Sequence, residues 1–307
     1  MRAQSAIGRE RSKALALLLA PVTLLLGIFF LIPLGITMIY SFLEPGLYGG
    51  VVWSFYPYNY GRLFGWPLGG GEEFEPLYAG IVLNSLKYAV LTVTISLLVC
   101  YPIAFWVSRM GGTAKNLLLF AITLPFFANL LVRIYAWLLL LRPTGAINTA
   151  LMAMGVIDEP LNMIFTEFAV ILGLVYVLIP FMFLPLYASV ERLDWSLVQA
   201  SQDLGATPLQ TFRRIILPLT APGIAGGSVI VFIPALGNFI VPAFLGGSKV
   251  QLAGNVIERQ FLQARNWPFG STLAMVIMAS VLILVLVYVL KVVRTGGHED
   301  QPRAGHA

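Results

Sequence analysis

Residue types that perform covalent chemistry are scarce and scattered in this chain of 307 residues. Its single cysteine, Cys100, lies in a hydrophobic run, and both histidines, His298 and His306, sit in a polar tail. One cysteine makes no intrachain disulfide, and no His/Cys cluster has the spacing of a transition-metal site. A phosphate-cradling loop is missing too, because Gly111-Gly112-Thr113-Ala114-Lys115 fails the G-x-x-x-x-G-K-S/T spacing. No carboxylate lies deep in an apolar run; Glu44 and Glu167 stand at run ends. An intramembrane enzyme would need a nucleophile–base or metal constellation. An ion-driven transporter would usually need intramembrane ionisable groups and an inverted repeat. The chain is therefore expected to carry no cofactor and to take its energy from another polypeptide.

One stretch does have a mechanical grammar. Glu191–Pro222 reads ERLDWSLVQASQDLGATPLQTFRRIILPLTAP. Asp194 or Ser196 can cap a short helix whose apolar face includes Leu197, Val198 and Leu204. Gly205 supplies the left-handed residue that ends a helix without a Cβ clash. Thr207 is a good N-cap, and Pro208 fits the first helical position, where its missing N–H costs nothing. A second helix is expected over Leu209–Ile216, stopped by Pro218 and Pro222. Two short helices joined by a tight turn make an element rigid enough to transmit a push.

The segments that hold this element are apolar. Hydrophobic residues make up 58% of the chain and charged residues only 11%. A soluble domain carries about 25% charged residues, so this composition points to an integral membrane protein. A bilayer-spanning helix needs roughly 20 apolar residues. Six charge-free stretches qualify: Ala14–Leu43, Tyr88–Ser108, Asn116–Val132, Phe168–Val190, Ile215–Ser248 and Asn266–Leu290. Pro45–Gly61, with its glycines and aromatic rings, reads as a loop resting at the membrane surface. Pro143–Ile157 is too short to span, and its middle, Ile147–Met154, reads as an interfacial helix. The net charge of +5 does not indicate nucleic acid, because the basic residues sit at the ends of apolar runs. An inside N-terminus puts most Lys and Arg in the cytoplasm, so both termini are expected there. The expected organisation is a cytoplasmic N-terminus (1–13), a first span (14–43), an extracytoplasmic aromatic and Gly-rich loop (44–78), a core (79–291) containing five spans and the loop 191–219, and a cytoplasmic tail (292–307).

The loop resembles the EAA loop of bacterial ABC importer permeases, whose pattern is Glu-Ala-Ala, three residues, Gly, nine residues, Ile-x-Leu-Pro. Here it falls on Gln199, Ala200 and Ser201, then Gly205, then Ile215, Leu217 and Pro218. Gln199 replaces the family glutamate and drops its charge; Ser201 replaces the second alanine. The resemblance implies an all-α membrane protein of six transmembrane helices, with the type I ABC importer permease architecture. It also implies that Gln199, Ala200, Ser201, Asp203, Leu204, Gly205, Ala206 and Pro208, with Ile215, Leu217 and Pro218, form a coupling loop. That loop would fit a cleft on a cytoplasmic ATPase, whose ATP-driven closure flips the permease between inward-facing and outward-facing states. The implied partners are a second homologous permease, two ATP-binding subunits, an extracytoplasmic solute-binding protein and the lipid bilayer of the bacterial inner membrane.

Further stretches resemble the spermidine/putrescine branch of that family: Pro125-Phe126-Phe127, Leu131 to Trp137, Leu178 to Met182, Pro234 to Phe239, Gly254 to Ile257 and Trp267 to Gly270. Other small solutes (another amine, a phosphonate, a ferric complex) remain as alternatives. A polyamine path favours aromatic faces, and Tyr135, Trp137, Tyr176, Phe232 and Phe239 are candidates beside packing roles. Asn238, between Pro234, Gly237 and Pro242, is the candidate for unwound backbone lining a cavity. Arg133, counted at about 1.5 Å per residue along a span starting at Asn116, is expected near the outer interface with an orienting or gating role.

Overall fold

A computed structural model describes residues 2–66, 76–247 and 249–296. His298 and His306 of the tail lie outside the described residues. Among these residues the regular elements are helices and one small hairpin. Helix α1 (Arg2–Ser41) leads into strands β1 (Leu43–Pro45) and β2 (Val51–Phe55), followed by the short α2 (Tyr58–Leu63). The remaining helices are α3 (Leu77–Ser108), α4 (Gly112–Thr123), α5 (Leu130–Leu141), α6 (Ala146–Ala153), α7 (Glu167–Glu191), α8 (Trp195–Asp203), α9 (Pro208–Thr211), α10 (Leu217–Gly237), α11 (Ala253–Leu262) and α12 (Trp267–Gly296). Six helical segments are long and apolar enough to cross a membrane.

Helix α7 is the axis of the bundle, packed between α3 and α10. Its Ala169, Leu174, Met182, Phe183 and Leu186 are buried against Ala89, Cys100 and Ala104 of α3 and Val231, Ala235 and Leu236 of α10. Hydrophobicity does not drive such contacts in lipid; close approach of small residues does. Gly223 and Gly227 of α10 provide it. A Cβ at Gly223 would collide with Ser189 and stand 2.8 Å from the Pro185 carbonyl; one at Gly227 would lie 2.9 Å from Met182 Sδ. At the periphery, α1 packs on α12, and most of the large apolar side chains between Leu18 and Ile39 are exposed.

Four elements depart from the sequence expectation. The second membrane helix starts at Leu77, because Lys87 lies inside it and pairs with Glu167 at 3.6 Å. The aromatic segment is no plain loop: β1 and β2 form an antiparallel hairpin with Leu47 and Tyr48 fully exposed at its tip. The third apolar stretch is broken. After α4 a single 3₁₀ turn covers Leu124–Phe127, and Asn129 Oδ1 accepts a bond from Leu131 N–H at 2.8 Å to start α5. Pro125 lacks the N–H that would continue the first helix, so the chain restarts at the Asn cap. The pieces Gly112–Phe127 and Leu130–Ala153 therefore replace one helix over Asn116–Val132, and the short helix foreseen at Ile147–Met154 appears as α6. Fourth, Pro218 and Pro222 do not stop the second helix of the loop, and Pro208–Gly237 is one continuous run of 30 residues. A wide π turn over Phe212–Ile216 lets the helix pass Pro218, because the looser hydrogen-bond register makes room for its ring.

Candidate functional site

The most clearly built polar element is the bend between α7 and α10. Asp194 Oδ1 accepts the Ser196 N–H at 2.9 Å and starts α8. Those hydrogen bonds hold the Asp194 carboxyl below the usual carboxylate range. At the other end Gly205 takes a φ of +81°. Its N–H donates to the Gln202 carbonyl at 2.9 Å, and the Ala206 N–H donates to the Ser201 carbonyl at 3.0 Å. This pair of bonds is the Schellman closure that a left-handed residue permits. Thr207 and Gln210 then form a reciprocal capping box, with Pro208 at the first helical position of α9.

Packing fixes the elbow to the bundle. Val198, Leu193 and Ile216 are buried together, with Phe105 of α3 and Trp195 against them. The Arg109 guanidinium lies 4.5 Å over the Trp195 ring and 5.0 Å over Phe105, clamping the start of α8 to the end of α3. Ser201 Oγ lies 2.8 Å from Thr211 Oγ1 and donates to the Val198 carbonyl, tying α8 to α9. The residue that departs from the family alanine thus makes a bond alanine could not. Tyr101 Oη and Thr220 Oγ1 share a further hydrogen bond of 2.9 Å, linking α3 to α10. Lys115 and Glu191, 2.6 Å apart, join α4 to the end of α7.

The outward side is apolar where it protrudes. Leu204 is 89% exposed and Leu209 73% exposed, one on each arm of the turn. Of the expected apolar face of α8, only Val198 points inward; Leu197 and Leu204 are exposed because the helix is short and its buried side is narrow. Gln199, Ala200, Asp203, Gly205 and Pro208 are exposed around the tip, while Ser201 and Ala206 are half-buried. Ile215, Leu217 and Pro218 lie further along, in the π turn and the first turn of α10, so they shape the arm. Beneath the elbow a cavity of about 530 Å³ is bounded by Ser189, Arg192, Asp194, Leu197, Leu219 and Gly223.

The aromatic candidates fall into separate places. Trp137 and Tyr176 meet edge to face, with centroids 5.5 Å apart, and Tyr135 meets Phe244 at 5.3 Å. Phe232 stands apart, lining an almost wholly apolar cavity of about 390 Å³ between α3, α10 and α12. Asn238 does interrupt its helix: its backbone is extended after Gly237, its Oδ1 accepts the Val241 N–H at 2.9 Å, and Gly254 closes on its carbonyl. Phe239 beside it is half-exposed. Arg133 lies close to the start of the long apolar piece Leu130–Ala153. It sits in the first turn of α5, with Nε and Nη1 enclosed and without a hydrogen-bond partner among the described residues. Counting along an unbroken helix from Asn116 overlooks the break just before it, for which Asn129, a strong N-cap type, is the available signal. The Lys87–Glu167 pair was also missed, since its members lie in different helices.

Comparison with known proteins agrees with this architecture. The family model of the binding-protein-dependent transport system inner membrane component matches residues 76–295. The chain is 48% identical over 215 residues to the spermidine/putrescine transport system permease protein PotB of Haemophilus influenzae, covering 70% of this chain and 75% of that one. It is 45% identical to the PotB of Escherichia coli over 70% of this chain and 78% of that one. The inner membrane ABC transporter permease protein YdcU of Escherichia coli is 35% identical over 74% of each chain. A solved bacterial ABC transporter involved in import of the acidic polysaccharide alginate shares the fold, with a TM-score of 0.72 at 19% identity, over 96% of this chain and 99% of that one. The chain belongs to the family of binding-protein-dependent transport system inner membrane components, and it is a multi-pass inner membrane permease of the ABC importer class, not an enzyme.

Proposed function

We propose that this permease forms half of a translocation pathway for polyamines of the spermidine and putrescine type, working by alternating access. The relatives at 45–48% identity, spermidine/putrescine permeases by name, carry the substrate assignment. The other half of the path is a second, homologous permease; two cytoplasmic ATPase subunits and an extracytoplasmic binding protein complete the complex. Both termini face the cytoplasm, so the elbow projects into it.

Gln199 to Pro208 dock in a cleft on an ATPase subunit, with Leu204 and Leu209 as the apolar contacts. The exposure of these two leucines on a turn whose back is fixed supports this reading. A protruding leucine on a flexible loop would be dragged along without moving the bundle. Here movement of the tip passes through Trp195 to α3 and through the π turn to α10. Trp137, Tyr176, Tyr135 and Phe239, near the break at Asn238, contribute to the pathway, and Arg133 orients or gates it.

The test is uptake of radiolabelled spermidine and putrescine into proteoliposomes containing the whole complex. Uptake must require ATP inside while ion gradients are clamped. Transport that persists without ATP, or that excludes both amines, would overturn the assignment.

A further inference from the structure

At the end of the bundle opposite the elbow, a cavity of about 250 Å³ opens between the start of α7, α3 and the segment before α11. Asn84, Tyr88, Phe165, Glu167, Lys249 and Gln251 are among its lining residues. It offers a carboxylate, two rings and two side-chain amides, the groups that hold an alkylammonium ion. Its walls are held in place from outside. Phe165 is a non-glycine residue at φ +58°, kept there by its N–H bond to the Leu245 carbonyl (3.0 Å). Such strain persists only where the surroundings over-determine it. The Ala253 N–H donates to Ser85 Oγ at 2.7 Å, fastening the far wall to α3.

An ammonium group already rests beside this cavity. Lys87 Nζ is 3.6 Å from Glu167 Oε2 and 5.7 Å from the centre of the Tyr88 ring. A lysine side chain is a four-carbon alkylamine on a tether, the same chemistry as the aminobutyl arm of putrescine or spermidine. Its side chain is 55% exposed and that of Glu167 64% exposed, so the pair is weak and open to exchange. Lys249 adds a second positive charge on the cavity wall and weakens any cation held there.

We propose that Glu167 and Tyr88 form a low-affinity entry site for the primary ammonium end of the substrate, and that Lys87 occupies it until the substrate displaces it. The proposal rests on the polyamine reading above. A tethered competitor acts at a local concentration of roughly millimolar. The site then takes an amine only when one is delivered at high local concentration, and it lets go afterwards. A pathway needs that balance, because a tight site would hold the solute instead of passing it on.

The test is equilibrium binding of radiolabelled putrescine to the whole complex in nanodiscs, without the binding protein. Lys87→Gln should tighten binding by about tenfold by removing the competitor. Glu167→Gln should abolish it, and Tyr88→Leu should weaken it several-fold. Unchanged or weaker binding in Lys87→Gln, or undiminished binding in Glu167→Gln, overturns the inference; if Glu167→Gln does not assemble, Lys87→Gln and Tyr88→Leu decide. Amine uptake by the wild-type complex with loaded binding protein is measured alongside. Its absence sinks the polyamine reading, whereas normal uptake with identical binding in all variants sinks only the entry site.

Discussion

Replacing Gly205 in turn by asparagine, alanine and valine separates backbone tolerance from side-chain bulk. A Cβ at this position would meet nothing within 4 Å, so any penalty comes from the φ of +81° alone. Holding an L-residue in the left-handed region costs roughly 1–2 kcal/mol, as alanine would. A β-branched chain raises this to about 3 kcal/mol, while asparagine tolerates the region. Opposing the penalty are the two closing hydrogen bonds, at about 1 kcal/mol each, and the Thr207 capping box, at about 1 kcal/mol. Valine therefore cancels most of what keeps the elbow closed, and alanine about half. Since 1.4 kcal/mol is a factor of ten, the closed-to-open ratio of the elbow falls about tenfold with alanine and about a hundredfold with valine, which leaves the valine elbow open about half the time. The readout is amine taken up per ATP hydrolysed by the reconstituted complex, with membrane insertion checked for each variant. The expected order is glycine, asparagine, alanine, valine. Wild-type coupling in the valine variant, or asparagine as poor as valine, would refute the reasoning.

Ser201→Ala should leave the buried Thr211 hydroxyl without its side-chain partner, lowering thermal stability by about 1 kcal/mol without blocking assembly; a melting curve in detergent measures this. Gly223→Ala should force α10 away from Pro185 and Ser189, destabilising the bundle by about 1–3 kcal/mol, read as loss of folded protein in the membrane, while Gly226→Ala, which faces open space, should not. The pH dependence of the α8 cap has a definite sign. Asp194 is held below its ordinary range, so its stabilisation is complete above the unfolded carboxyl pKa and is lost as pH falls through the lower folded value. Hydrogen exchange at the Ser196 amide should accelerate relative to its neighbours only under acid, and Asp194→Asn should remove that acid response.

How much could be read beforehand depended on the range of the rule applied. Asp194, Gly205, Thr207 and Pro208 each act within three residues of themselves, and the elbow they describe is the one found. The rule that failed treated charge as a boundary. Lys87 ended an apolar stretch on paper, but in the molecule it lies within α3 and finds Glu167 on α7. Conversely, the uncharged stretch around Pro125 and Asn129 reads as one rod by hydropathy, whereas the proline and the Asn cap divide it. Prolines misled in the opposite direction at Pro218 and Pro222, where a π turn upstream absorbs the missing bond.

Composition and hydropathy alone determined that this chain lives in a bilayer and located five of its six long apolar helices, because a helix exposed to lipid must be apolar along about 30 Å; the third, Leu130–Ala153, needed the structure. Local stereochemistry alone determined the turn at Gly205. Only the tertiary structure decided which helix became the axis, that Gly223 and Gly227 let α10 lie against it, and that Arg109 clamps Trp195. It also decided that Nε and Nη1 of Arg133 are enclosed and that Lys87 rests beside the Glu167 cavity. In a uniformly apolar chain every helix face looks alike from the sequence. Pairing is therefore settled by shape and by a few polar atoms seeking partners, and those contacts join residues that no local rule connects.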